Sequence, residues 1–255
     1  MKLQVVRADP AGNITLLVRT PVEPSQYSAV GEKLLALPRF RAEQVGFIGE
    51  GGRLTMAGGE FCGNATRALG LLLSRERGIR GEAHLEVSVS GCDRAVGVDA
   101  DTVRGTARAE MPLPLFVRKE IVNGAEGTLV HLGGIVHLVV AGVAPSEEFF
   151  AAAEPLFLSL GTPEAYGVVF LDGEKLRPLV KVSALNSLCW EGSCGSDSLA
   201  AAVAESTAMA DGVFEKDYIQ PAGSIRATVE RRGGKVRAAY IGGEVTLDET
   251  VEIEL

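Results

Sequence analysis

Two short segments of this chain match one another, and their recurrence constrains the fold more than any other feature. Cys62-Gly63-Asn64-Ala65-Thr66 opens an apolar run from Arg67 to Ser74, and strand-like Leu85 to Ser90 follows. Cys194-Gly195-Ser196-Asp197-Ser198 opens a second run from Leu199 to Glu205, followed by strand-like Ser224 to Glu230. One unit thus appears twice, once in each half of the 255 residues. The pattern predicts two halves, each carrying one such unit.

The segments between carry strand patterning joined by glycine turns. Val45 to Ile48 meets Leu54 to Met56, Val168 to Leu171 meets Leu176 to Val182 across Asp172-Gly173, and Ser224 to Glu230 meets Lys235 to Ile241 across Gly233-Gly234. Helical spacing predicts helices over Ser25 to Leu37, Asn64 to Arg77, Ser146 to Leu160 (split or kinked at Pro155) and Ser196 to Ala208. Helices alternate with groups of strands, which argues for an α+β fold and against a doubly wound parallel sheet. Met111-Pro-Leu-Pro-Leu-Phe interrupts regular pairing near the midpoint and is the expected crossover. We divide the chain into residues 1–114, carrying Cys62, and 115–255, carrying Cys194. The strand-like Val245 to Leu255 can belong to either half.

With 46% hydrophobic residues there is material for one large core or two modest ones. The net charge of -8 excludes nucleic acid and anionic membranes as expected partners. Neither a signal peptide nor an apolar run of about 18 residues is present, so a cytoplasmic location is expected, with no membrane partner. In that compartment Cys62, Cys92, Cys189 and Cys194 are read as thiols.

Each repeated cysteine stands at a helix start, where unpaired N–H groups and the positive end of the dipole favour thiolate and can also hold a substrate carboxylate. Gly63 and Gly195 leave those amides open to close approach. Two such starts facing one another would place a sulfur on each side of a carbon next to the carboxylate. One thiolate could then remove a Cα proton while the opposite thiol delivers another, the pair titrating as a unit. In an empty site the two could instead oxidise to an inactive disulfide.

The motifs resemble those of the diaminopimelate epimerase superfamily of cofactor-independent amino-acid racemases, which carries Cys-Gly-Asn-Gly and Cys-Gly-Thr-Gly. Pro10-Ala-Gly12-Asn13, Gly133-Gly134-Ile135-Val136-His137 and Gln220-Pro221-Ala222-Gly223 are similar to its Gly-Asn, Gly-Asn-Pro-His and Pro-Gly-Gly elements, in the same order. The resemblance implies two similar halves, each a curved, mostly antiparallel sheet around a central helix, with the active site in the cleft between them. It also implies a homodimer, no cofactor and a small amino-acid substrate. The adjacent Glu-Arg that diaminopimelate epimerases place before the second cysteine is missing from Ser183 to Ser193, so no bidentate arginine awaits a second carboxylate there. Glu43-Gln44-Val45-Gly46-Phe47, Glu60-Phe61-Cys62 and Trp190-Glu191-Gly192-Ser193-Cys194 resemble the histidine racemases of staphylopine-type metallophore biosynthesis. That subgroup implies interconversion of L- and D-histidine. Diaminopimelate or another amino acid is the second reading, and a thiol-redox or ligand-binding protein without turnover the third.

The candidate catalytic pair is therefore Cys62 and Cys194, with Asn13, Glu43, Gln44, Glu60, Gly63, Asn64, Glu191, Gly195 and Ser196 as candidate substrate contacts. Against each stands a plainer role: small buried residues for the cysteines, solvated or turn carboxylates for Glu60 and Glu191, a turn for Asn13, a solvent-facing side chain for Gln44. Cys92 and Cys189 are read as packing residues, and His137, which shares a strand face with Ile135 and Val139, as a satisfied structural histidine ahead of a catalytic one. Gly223-Ser224 either offers backbone N–H groups to a ligand or only reverses the chain. Cys189 and Cys194 lack the further Cys or His ligands zinc requires, and Lys181 lacks the phosphate loop of a pyridoxal enzyme. Neither metal nor cofactor is expected.

Overall fold

The computed structural model describes residues 1–183 and 187–255. It is an α+β chain rich in sheet, dividing into two compact units: Met1–Glu110 with Gly242–Leu255, and Met111–Ile241.

The first unit opens with β1 (Lys2–Asp9), β2 (Thr15–Val18), α1 (Tyr27–Leu35), β3 (Gln44–Ile48) and β4 (Leu54–Met56). Antiparallel β1–β2 and β3–β4 are joined by a parallel β2–β3 pair, α1 serving as the crossover that a parallel pair requires. Val30 and Leu34 of α1 pack with Val45 and Phe47 of β3, and Tyr27 stacks on Phe47 at 4.1 Å between centroids.

Next comes α2 (Gly63–Glu76), then the antiparallel strands β5 (Glu82–Val87), β6 (Val96–Asp101) and β7 (Thr106–Glu110). All residues of α2 from Gly63 to Leu72 are buried, as befits a helix enclosed on nearly every side. Ala65, Ala68 and Leu69 lie in a core with Val87, Val98 and Ala109. Gly70 is what allows the close approach: a Cβ there would sit 2.3 Å from Val98 Cγ1.

The second unit contains β8 (Phe116–Val122), β9 (Ala125–His131), β10 (Ile135–Ala141), α3 (Glu147–Leu158), β11 (Ala165–Asp172), β12 (Lys175–Val182), β13 (Ser187–Trp190), α4 (Gly195–Glu205), β14 (Gly212–Gln220) and β15 (Gly223–Arg232). Most neighbouring pairs are antiparallel, while β10–β11 run parallel with α3 as their crossover. Helix α4 contacts β15, β10 and β9 and is buried from Gly195 to Ala204 except at Ser196. Gly233 and Gly234, both at positive φ, turn β15 into β16 (Lys235–Glu244). The boundary between the units falls within β16, and β17 (Thr246–Leu247) and β18 (Val251–Glu254) then pair antiparallel with β1.

Two expectations need correction. Pro155 does not split the segment: α3 runs unbroken from Glu147 to Leu158. Pro155 and Ala151, whose carbonyl loses its helical donor, are both exposed, so the orphaned carbonyl lies on the solvent side, while Phe150 and Phe157 pack beside Tyr166 on the opposite side. Cys189 is exposed on β13, so it is no packing residue; Trp190 beside it turns inward against Phe170. Alternation along a strand sends neighbouring side chains to opposite faces. Cys92 does pack against the α2 core. Among the described residues no helix is long and apolar enough to cross a membrane.

Candidate active site

In the first unit Cys62 is the residue before α2, in extended conformation (φ -130°, ψ 110°), and its sulfur accepts the amide N–H of Ala65 at 3.4 Å. The carbonyl of Cys62 accepts from Thr66 through Oγ1 (2.7 Å) and the amide (2.9 Å), which locks the first turn. The thiol donates to Oε1 of half-buried Gln44, 2.9 Å away at the start of β3. A second chain runs behind it. Glu43 Oε2 accepts from Asn13 Nδ2 (2.8 Å), Asn13 Oδ1 from Asn64 Nδ2 (3.2 Å), and Asn64 Oδ1 from Arg67 Nε (3.1 Å). Of the residues read from sequence on this side, Asn13, Glu43, Gln44, Gly63 and Asn64 therefore gather around Cys62. Glu60 is exposed, two residues before the cysteine, and acts on it through charge.

In the second unit Cys194 precedes α4 in nearly the same conformation (φ -136°, ψ 130°). Gln220, at the end of β14, clamps its backbone from both sides. Gln220 Oε1 accepts the Cys194 amide at 2.8 Å, and Nε2 donates to the Cys194 carbonyl at 3.1 Å and to Ser198 Oγ at 2.8 Å. The sulfur lies 3.2 Å from Ser196 Oγ, which is 3.0 Å from Nε2 of His137 on β10. Nδ1 of His137 approaches Oδ1 of Asp197 to 3.0 Å, and both side chains are fully buried. Gly195 and Ser196 thus belong to the cysteine's own turn. Half-buried Glu191 acts on the thiol through charge, and the turn after Gln220 is tied beside it by the Ala222 amide donating to the Gly192 carbonyl at 2.8 Å. Ala184, Leu185 and Asn186, part of the stretch read for the missing Glu-Arg, lie outside the described residues.

Comparison with known proteins identifies the family. The family described as the histidine racemase CntK N-terminal domain matches residues 2–250. The chain belongs to the histidine racemase family. Within it, a histidine racemase of Fusobacterium nucleatum is 32% identical over 209 residues, 78% of each chain, and one of Staphylococcus aureus is 28% identical over 96% of each. A solved structure of a phenazine biosynthesis protein of the PhzF family from Enterococcus faecalis shares the fold, with a TM-score of 0.65 and 15% identity over the full length of both chains. The protein is an isomerase, an amino-acid racemase.

Electrostatics in this racemase differ from the sequence expectation. Helix starts were expected to lower both thiols, yet both are raised. Desolvation by burial is the largest influence on Cys62; the amides of Ala65 and Asn64 and the side chain of Gln44 pull it down, and Glu60 pushes it up. Burial also dominates at Cys194, with Asp197 and then Glu191 pushing it further up against Ser196 and the Asp197 amide. The amides act in the expected direction but are outweighed. Burial lowers His137 to about 3 and holds Asp197 well above its ordinary 3.8. At their 3.0 Å approach burial thus works against the charged form of both side chains.

Four residues of the racemase's two cysteine turns escaped the sequence reading. Asp197 was visible only as a departure from a family glycine, His137 was read as structural ahead of catalytic, and Gln220 entered only as the residue before a turn. Arg67, fully buried, donates through Nη1 to the carbonyls of Gly243 (3.1 Å) and Glu244 (3.0 Å). Its one signal was a charge inside an apolar helical run. Among the described residues no group of three or more His, Cys, Asp or Glu could hold a metal ion.

Proposed function

We propose that this racemase interconverts L- and D-histidine with Cys62 and Cys194 as its two acid/base groups, without pyridoxal phosphate or metal. The observation that carries the reading is the placement of two half-buried cysteines at the starts of the two most enclosed helices, each in extended backbone with first-turn amides directed at its sulfur. A thiolate takes the Cα proton, so Cα–H breaks and S–H forms; the carbanion is held as an enolate at the carboxylate. The other thiol gives its proton to the opposite face, leaving a thiolate. No electrons are exchanged with a third party, and the next turnover runs in reverse.

Histidine is favoured by the names of relatives that the chain matches over most of its length. Glu43, Glu60 and Glu191 offer acceptors to an ammonium or imidazole, and Ser183 to Ser193 contains no arginine. The substrate ammonium beside Glu60 or Glu191 would offset the like charges that hold the thiols up. Incubation with a panel of L-amino acids, followed by chiral chromatography, should give the D-enantiomer fastest from histidine. Fast epimerisation of diaminopimelate with inert histidine would overturn the substrate. Cys62→Ser and Cys194→Ser should each reduce turnover by at least about a thousandfold; full activity in either would overturn the pair. Activity should survive exhaustive dialysis against a chelator.

A further inference from the structure

Ser196, His137 and Asp197 form a polar file behind the Cys194 sulfur, within one unit. From the sulfur it runs 3.2 Å to Ser196 Oγ, 3.0 Å on to His137 Nε2, and from Nδ1 3.0 Å to Asp197 Oδ1. His137 and Asp197 are fully buried, and neither Nδ1 nor either Asp197 oxygen forms an aligned hydrogen bond, their own 3.0 Å approach included. Two lone-pair atoms held 3.0 Å apart in a dry interior repel unless a proton lies between them. A fully buried carboxyl without a cation or donor set favours its acid form.

We propose that the acid form of Asp197 donates to Nδ1 of His137 and thereby directs the Ser196 hydroxyl as a hydrogen-bond donor to the Cys194 sulfur. The logic is that of tautomers. With Nδ1 accepting from Asp197, the neutral ring carries its hydrogen on Nε2 and donates to Ser196 Oγ. The serine oxygen is then occupied as an acceptor, so its own hydrogen points along the remaining short contact, to sulfur. A carboxylate at 197 would reverse the file: Nδ1 would carry the hydrogen, Nε2 would accept from Ser196, and the sulfur would lose its donor. No proton travels along the file. It favours the thiolate left when Cys194 has given its proton away, making Ser196, His137 and Asp197 positioning residues. Glu191 is the other ionisable group acting on this sulfur, and it opposes the thiolate. At the corresponding place after Cys62 stands Ala65, so the device belongs to one cysteine alone.

The proposal rests on reading Cys194 as an acid/base group, but its test needs no turnover. Iodoacetamide reacts with thiolate, so alkylation of the substrate-free full chain, resolved by peptide mass spectrometry from neutral to alkaline pH, reads each sulfur separately. Ser196→Ala and Asp197→Leu should each slow alkylation of Cys194 by about tenfold below its midpoint, the effect of losing a donor to a charged acceptor, and leave Cys62 unchanged. The double variant should be no slower than Ser196→Ala alone. Asp197→Asn, whose amide N–H can donate to Nδ1 as the acid does, should stay within about threefold of the parent. An unchanged Cys194 profile in Ser196→Ala, or an Asp197→Asn as slow as Asp197→Leu, overturns the proposal. The Cys62 profile reports folding in each sample; if Asp197→Leu fails to fold, Ser196→Ala and Asp197→Asn decide. Racemisation that survives Cys194→Ser would sink the two-thiol mechanism while leaving the alkylation result intact.

Discussion

Arg67 shows how much of this site is held from behind. It is fully buried, binds Asn64 and the carbonyls of Gly243 and Glu244, and through Asn64 and Asn13 is linked to Glu43. Burial lowers its guanidinium to about 10, with Cys62 and then Asp9 opposing that shift, so the group remains cationic at neutral pH beside the thiol. Truncation by Arg67→Met leaves two carbonyls and an amide oxygen without donors, and should cost about 3 kcal/mol in urea denaturation. Arg67→Lys should not restore it, because one ammonium cannot reproduce the fork. A loss below about 0.5 kcal/mol in the methionine variant would show that these bonds are replaced by water. At this scale the sequence was informative where function is written in adjacent residues: Asn64 follows the cysteine, and Gln44 sits in a segment that matches a subgroup. It was silent where a residue acts across the fold. Nothing near Gln220 in the chain announces that its amide will grip the backbone of Cys194.

Among the elements, α2 and α4 carry the argument, since each is enclosed by sheet and each presents its start with a cysteine. Gly70 tests how closely α2 must lie. Gly70→Ala places a Cβ 2.3 Å from Val98 Cγ1 and should destabilise by about 1–3 kcal/mol, with Val98→Ala recovering part of that loss. Equal stability of Gly70→Ala and parent in thermal unfolding would mean that helix and strand separate without cost. The hairpins were legible because a two-residue glycine turn dictates antiparallel pairing locally. The parallel pairs β2–β3 and β10–β11 were not, since they depend on crossovers whose landing place only packing decides. Pro155 misled for a related reason: its cost depends on whether the orphaned carbonyl meets water, which chain order does not reveal.

For the molecule as a whole, the His137–Asp197 pair makes stability depend on pH in a definite way. His137 stays neutral when folded, so by itself it loses stability as pH falls below its ordinary 6.5; Asp197 stays protonated, so by itself it loses stability as pH rises above its ordinary 3.8. Between those values folded and unfolded pairs each hold one proton and the slopes cancel. Above about 6.5 a folded Asp197 that keeps its proton, as the proposed hydrogen bond to His137 requires, holds one that the unfolded pair lacks, and stability should fall by up to about 1.4 kcal/mol per pH unit. Urea midpoints at about pH 6 and about pH 8 should drop in the parent and much less in Asp197→Asn; parallel slopes would show that the pair shares no proton. The recurrence of a cysteine helix start was legible because it repeats in sequence, whereas the return of β18 to β1 stood only as one of two options, as a terminal strand can serve either half. The central claim concerns two sulfurs acting on opposite faces of one carbon. L-Histidine in D2O, sampled at early conversion and resolved by chiral chromatography with mass analysis, tests it most directly. Two exchangeable thiols predict that the D-histidine formed carries deuterium at Cα while recovered L-histidine carries almost none. D-Histidine that retains its original hydrogen, or label entering recovered L-histidine ahead of product, would contradict it.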